Sequence, residues 1–362
     1  MSDRRMYLFV LLLFGVCGCE RKLEMVSSRE DPADEPNVKI EAEYVAQVQK
    51  CMWFEDKVAA YTISFDDARA SHYQVAGPLL HQRNICGTFF INTREIKDWS
   101  GWQNLADMGH EIGSHTWSHP RMTALTEAQQ RAELEHAIFD IRSNLRGAPP
   151  VYSFCYPYGL FDDALRRVVQ EYHISARGGG GVNRSGLSDE ALTMVRGSGV
   201  YPPYDMTLFA RILAEALSKK GWVNVYFHSV SARDDSNDTT IPLRRFIEHL
   251  DDVEKVRGQL WIATQAQVAN YIRLHRDAGI KVEEIDQVSI KISLERLPEN
   301  ISDISRLTVK LALPNHWRNH KIFWRKGNQK SQEIVNADGD RVYLHIGRDE
   351  TVFLEAKMNK KR

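Results

Sequence analysis

The sequence predicts an α/β fold in which a parallel sheet curls toward a barrel, followed by a small all-β segment. Three observations carry this. From Val58 onward, short apolar strands alternate with amphipathic helical stretches, the pattern of βα units and of a parallel sheet. Seven such units fit between Val58 and Asp277, which points to a barrel, complete or incomplete. Around Gly279 to Glu284 the helical pattern stops and short alternating strands take over.

The elements follow in order. Arg4 and Arg5 form a basic n-region, and Met6 to Phe14 an apolar stretch too short to span a bilayer as a helix. Val16-Cys17-Gly18-Cys19 resembles a lipobox, and Cys19, preceded by the small Gly18, is the expected lipidated residue. Residues 1–18 are then a lipoprotein signal peptide; the alternative is a plain secretory signal with incidental cysteines. Glu20 to Asn37 is charged and contains Pro32 and Pro36, so 19–50 reads as a tether. Strands are expected at 58–65, 86–91, 110–114, 151–156, 173–176, 222–228 and 259–264. Helices are expected at 73–83, 102–108, 126–145, 161–171, 206–219, 243–256 and 266–277. The barrel domain therefore covers 51–279. Beyond it, Val288–Leu294, Leu307–Leu313, Ile322–Trp324, Val342–Ile346 and Val352–Ala356 read as strands, with Asp338-Gly339 as a hairpin turn. Residues 285–358 are expected to form a small β-sandwich acting as an accessory module that supplies no catalytic group.

At 362 residues the chain can bury one large core and a smaller one. A net charge of −1 argues against general electrostatic attraction to nucleic acid. Five cysteines are present; with Cys17 removed and Cys19 lipidated, Cys51, Cys86 and Cys155 remain, an odd number that leaves at least one free thiol.

The chemistry concentrates in two segments. Ser64-Phe65-Asp66-Asp67 places adjacent carboxylates at the end of an apolar strand. Ser114-His115-Thr116-Trp117-Ser118-His119-Pro120 places two imidazoles at i and i+4, which face the same way if the stretch turns helically. One carboxylate and two histidines make a three-ligand site for a divalent metal with open positions. The second carboxylate is then free to act as a base on water, and metal-assisted hydrolysis suits the set. Asp66, Asp67, His115, His119, Tyr158 and His228 all fall at or just after predicted strand C-termini, the face on which (β/α) barrels carry their sites.

Residues 58 to about 275 resemble the polysaccharide deacetylases of carbohydrate esterase family four. Ile63-Ser64-Phe65-Asp66-Asp67 is similar to the family's first motif, Thr-Phe-Asp-Asp, and residues 114–120 to its second, His-Ser/Thr-x-x-His-Pro. Phe154-Cys155-Tyr156-Pro157-Tyr158-Gly159 resembles the third, and Val225-Tyr226-Phe227-His228 the last. The resemblance implies a distorted (β/α) barrel of seven or eight strands and metal-dependent removal of acetyl groups from N-acetylated glycans. It implies Asp67, His115 and His119 as ligands, Zn²⁺ as the metal with Co²⁺ or another transition metal as alternatives, Asp66 as general base and His228 as general acid. A backbone N–H near Tyr158 would help hold the oxyanion. The implied partners are an acetylated polysaccharide and, through the lipid, a membrane at the cell envelope; nucleic acid is not among them.

Two departures stand out. Cys155 occupies the place where the family often carries an Arg that orients the base. Arg177, in Ala176-Arg177-Gly178-Gly179-Gly180, either supplies that charge or is a surface arginine flanking a Gly-rich loop. No copy of the Asp-containing fourth motif, which positions the catalytic His, is evident. Two further readings therefore stand beside the deacetylase: an O-acetyl esterase on xylan-like polymers, and a catalytically silent glycan-binding lipoprotein. Trp99 and Trp102 are expected in the core, and His72, His81, His136, His173, His249 and His275 as structural or solvated.

Overall fold

The computed structural model describes residues 48–358 apart from 148–149, 202–205, 232–238, 287, 300, 302–304, 318–319 and 334–340. The signal peptide, Cys19, most of the expected tether and the Asp338-Gly339 turn lie outside the described residues.

Seven parallel strands close into a ring: β2 (Ala59–Phe65), β3 (Thr88–Ile91), β4 (Glu111–Ser114), β5 (Ser153–Cys155), β6 (Ser175–Gly178), β7 (Val195–Gly199) and β8 (Trp222–Phe227), which pairs back onto β2. An eighth strand, β11 (Leu260–Ile262), sits beside the start of β2. Its residues pair with Ala59–Tyr61, while β3 takes over at Ser64 and Phe65. One flank of β2 is thus shared by two strands, and the barrel is distorted at that seam. β2 is buried at every residue, as expected for a strand covered on both faces.

The helices α1 (Gly77–Gln82), α2 (Ser100–Asp107), α3 (Glu127–Asn144), α4 (Asp163–Tyr172), α5 (Asp189–Leu192), α6 (Met206–Lys219) and α7 (Leu243–Lys255) connect the strands and cover the barrel. Start signals match their sequence: Thr126 and Gln129 form a reciprocal capping box on α3, and Asp162 caps α4. The helix expected at 73–83 opens instead with a π-turn at His72–Ala76. Not foreseen were β7, α5, and the two-stranded parallel pair of β9 (Ser229–Ser231) and β10 (Thr240–Pro242) that follows β8. Trp102 is buried and Trp99 packs against the same core, as expected.

Helix α8 (Gln265–Asp277), capped by a Thr264–Gln267 box, closes the base of the barrel and is buried along most of its length. Beyond it two antiparallel sheets stack. One contains β12 (Gly279–Asp286), β13 (Ser289–Glu295), β18 (Thr351–Met358), β15 (His320–Lys326) and β16 (Gln332–Glu333). The other contains β1 (Val48–Lys50), β14 (Arg306–Ala312) and β17 (Arg341–Gly347). Alternate residues of both sheets, Ile290, Ile292 and Leu354 against Leu307, Val309, Leu344 and Ile346, fill one core. The sandwich begins at Gly279 rather than residue 285, and residues 48–50, read from sequence as the end of a tether, form its strand β1.

Candidate metal centre and active site

Asp67 follows β2 with a left-handed backbone, φ 76°, and Ala68 continues it at φ 51°. This tight turn lifts the Asp67 carboxylate to the barrel mouth, where Oδ2 pairs with Arg69 at 3.2 Å. Oδ1 faces two imidazoles: it lies 3.5 Å from His115 Nε2 and 3.4 Å from His119 Nε2, and the two Nε2 atoms are 3.2 Å apart. Ligand atoms about 2.0–2.1 Å from a tetrahedral ion are about 3.3 Å from one another, so the triangle fits one small divalent metal. His115 Nδ1–H donates to the Cys155 carbonyl at 2.8 Å, which fixes the tautomer and aims Nε2 at the triangle.

The segment 115–121 is not helical, contrary to one way of reading the i, i+4 spacing. It is a loop in which Thr116 (φ 70°) and His119 (φ 59°) are left-handed, and the Thr116 hydroxyl accepts the His119 N–H at 2.9 Å. Tyr158, at φ 58°, puts its exposed ring 4.7 Å from that of His119. Five of the eleven non-glycine residues with positive φ among the described residues, namely Asp67, Ala68, Thr116, His119 and Tyr158, therefore cluster at this mouth. Each such backbone costs on the order of 1–3 kcal/mol, and strain of this kind gathers where a precise geometry is needed.

Asp66 is buried beneath the triangle and is gripped by the Arg177 guanidinium. Burial pushes its carboxyl up, but Arg177, His115 and His228 outweigh burial and hold it below the ordinary value. Arg177 is itself buried, donates to Cys155 Sγ at 3.0 Å, and lies 3.9 Å over the Tyr226 ring. Cys155 and Arg177 are register partners on β5 and β6. The positive charge missing at Cys155 is thus present one strand over at the same level, and Arg177 is not a surface arginine.

His228 follows β8 beside Asp66 and Asp67. Its carbonyl accepts from His72 Nε2–H at 2.6 Å, and its ring lies 5.7 Å from that of Tyr201. Its Nδ1 is buried with no hydrogen-bond partner among the described residues, and no carboxylate among them takes the place of the fourth motif there. His72, expected to be structural or solvated, is buried and structural; Tyr201 was not singled out in the sequence. Burial pushes His72 down to about 4, so it is neutral and serves as a fixed donor to the loop carrying His228. The Tyr201 hydroxyl lies 3.2 Å from that of Tyr226, linking the His228 side of the mouth to the ring under Arg177. A His at a helix start and a Tyr between segments carry no motif that would have singled them out.

A second set, Asp66, His115 and Cys155, also brings three ligand atoms together. Its carboxylate is committed to Arg177, which leaves the Asp67 triangle as the better seat for a cation.

Residues 55–176 match the family model described as polysaccharide deacetylase, a span that includes Asp66, Asp67, His115, His119 and Tyr158 and ends one residue before Arg177. A gellan lyase from a Bacillus species is 25% identical over 290 residues, 74% of this chain and 11% of that protein. Chitin deacetylase 1 of Cryptococcus neoformans is 33% identical over 110 residues, 30% of this chain and 23% of that one. Chitin deacetylase 1 of Saccharomyces cerevisiae is 28% identical over 127 residues, 34% of this chain and 41% of that one. The aligned part of this chain spans under half the length of each of these relatives. Among solved structures, a family 4 carbohydrate esterase from Streptomyces lividans aligns at 18% identity and a TM-score of 0.37, covering 56% of this chain and 91% of that one.

Proposed function

We propose that the chain is a metal-dependent hydrolase that removes acetyl groups from N-acetylated glycans at the cell surface. The observation that carries this reading is the Asp67–His115–His119 triangle standing directly over an Arg177-held Asp66. Asp67, His115 and His119 would hold the ion, Zn²⁺ being the expected one, which when bound supplies polarisation of the acyl carbonyl and a lowered pKa for water. Asp66, kept ionised by Arg177, takes the proton of the attacking water. His228 delivers a proton to the leaving amine, and a backbone N–H beside Tyr158 donates to the developing oxyanion. The buried Asp66–Arg177 pair keeps the base in one orientation and shields it from bulk water.

The family match supports hydrolysis of acetylated glycans as the reaction class. Metal analysis combined with acetate release from an acetylated chitooligosaccharide, run beside acetylated xylan, tests it. Acetate from the chitooligosaccharide only with metal present is the expected result. Acetate from xylan alone would move the assignment to an O-acetyl esterase. Glycan binding without release from either would favour the catalytically silent reading. The lipobox-like Val16-Cys17-Gly18-Cys19 supports anchoring through lipid on Cys19, with the barrel outside the cytoplasm. Mass spectrometry of the mature N-terminus tests that, and an unmodified Cys19 would end it.

A further inference from the structure

A proton donor works only if its ring is held at one angle to the group it protonates. The backbone of His228 is fixed, because β8 ends one residue earlier and the His228 carbonyl takes the His72 hydrogen bond. The ring is held by other means. Its Nδ1 is buried, and no described residue hydrogen-bonds it. Two tyrosines stand against it instead. The Tyr201 ring lies 5.7 Å from the imidazole at an interplanar angle of 47°, and the Tyr226 ring 6.0 Å from it at 66°. The two phenol rings lie 6.2 Å apart, edge to face, and their hydroxyls are hydrogen-bonded at 3.2 Å. All three ring separations fall within the roughly 4.5–7 Å of favourable aromatic packing.

The fold makes room for this arrangement. Tyr226 is seated by the Arg177 guanidinium, 3.9 Å from its ring centre. Tyr201 is 45% exposed, so burial alone does not fix its ring; its side chain is tied down through the Tyr226 hydroxyl. Gly199, the last residue of β7 and the register partner of Tyr226, faces both rings. A Cβ there would meet Tyr201 Cε2 at 2.5 Å and Tyr226 Cζ and Oη at 2.6 Å. That is well inside the roughly 3.5–4.0 Å of an optimal carbon contact, so any side chain at 199 would push the phenols apart. A wall that only stacked on substrate would call for a ring, but not for the hydroxyl-to-hydroxyl bond, the bare residue beneath it or the contact with His228. We propose that Tyr201 is a positioning residue for His228: latched to Tyr226 through its hydroxyl, it holds the imidazole at its working angle by packing, the task that a hydrogen-bonded third group performs in other acid–base sites.

The proposal rests on the reading of His228 as the acid that protonates the leaving amine, so its test has one arm that needs no turnover. Tyr201→Leu removes the ring, and Gly199→Ala keeps both phenols but separates them. Two quantities are measured on the Zn²⁺-loaded full-length protein. One is kcat and KM for acetate release from an acetylated chitooligosaccharide. The other is the NMR order parameter of the His228 Cε1–H bond, its signal identified by loss in His228→Gln; an order parameter reports ring motion and is blind to the ring-current change that any lost aromatic causes. In both variants kcat is expected to fall by about 10–10²-fold with KM within about twofold and metal content unchanged, and the order parameter to fall with it. Tyr201→Phe, which keeps the ring and loses only the latch, should recover part of the kcat. An unchanged His228 order parameter in folded Tyr201→Leu would overturn the proposal. So would a raised KM with wild-type kcat, the mark of a ring that merely binds the sugar. If Tyr201→Leu does not fold, Gly199→Ala decides by the same criteria. A wild-type protein that releases no acetate would instead end the catalytic reading, and the order parameter would still decide whether Tyr201 orients His228.

Discussion

The His119 side chain is 24% exposed where that of His115 is 3%, so His119 is the ligand that can be removed with least damage to the core. His119→Ala is expected to lower metal affinity by more than the roughly 10–100-fold that loss of an outer-shell partner costs. Metal content of the folded variant measures this, and wild-type content would remove His119 from the set. Metal uptake is also expected to release a proton. Burial works against protonating His115, but Cys155, Asp67 and Asp66 outweigh it and hold the imidazole well above its ordinary value; His119 is held below it by burial and by His115. A ligating His115 must be neutral, so at neutral pH the ion displaces its proton and affinity falls as pH drops. Calorimetry in buffers of different ionisation enthalpy would count that proton, and pH-independent uptake with none released would contradict it. Asp66→Asn is expected to lower kcat by about 10²–10⁴-fold with metal still bound; metal loss here, with retention in Asp67→Asn, would exchange the two roles. Asp66, Asp67, His115 and His119 stand out in sequence by side-chain type and spacing, and His228 through the family resemblance alone; the structure brings the five together. Arg177 could be read only as one of two options, because the cross-strand register that sets it beside Cys155 is written nowhere along the chain.

Elements were legible where apolar patterning and caps agreed, and lost where a strand had to be small. β7 reads Val195-Arg196-Gly197-Ser198-Gly199, with no run of β-branched or aromatic residues to announce it. Its glycines are explained by what lies inside the barrel. A Cβ on Gly197 would meet Arg177 Cδ at 2.7 Å and Tyr226 Cδ1 at 3.1 Å. The residue that makes β7 invisible in the sequence is therefore the one that gives Arg177 its seat over Asp66. Gly197→Ala is expected to displace Arg177 and lower kcat by up to about 10²-fold, the scale of a 1 Å misplacement, while the metal triangle stays intact. Steady-state kinetics with metal content measured in parallel test this, and a wild-type kcat would show that the Arg177 seat tolerates the extra methyl. The ligand loop gives the converse case. The two imidazoles of the His-x-x-x-His spacing do meet, yet two left-handed residues, not a helical turn, bring the rings together.

At the scale of the whole molecule, the barrel mouth supplies every site residue described, and the sandwich supplies none. That division was legible because the barrel motifs are complete before the sandwich begins and no His/Asp pairing of ligand type follows them. The independence of the sandwich was a different expectation, and the packing argues against it. Ala60, Trp222, Ala263 and Val268 of the barrel share one continuous core with Ile292, Leu307, Val309 and Val342 of the two sheets, and α8 lies between them. Backbone and side chains cross the same boundary: the Glu55 N–H donates to Thr308 Oγ1 at 2.9 Å, Lys50 Nζ donates to the His275 carbonyl at 2.8 Å, and Lys310 pairs with Asp56 at 3.0 Å. Contacts of this kind form only once the chain has folded, so alternation in sequence reveals two β-layers but not what their outer faces touch. Removing residues 279–362 would strip α8 of its outer layer and β1 of its partner strand. Each large apolar side chain uncovered loses about 1.5–3 kcal/mol, and a handful of them reaches the 5–15 kcal/mol that holds a whole domain together. The truncated chain is therefore expected to aggregate or to melt far below the full-length protein, with metal binding lost along with the fold. Thermal unfolding of the two forms side by side measures this. A truncated barrel that melts as the full-length protein does and still binds metal would show that the sandwich is a separable module after all.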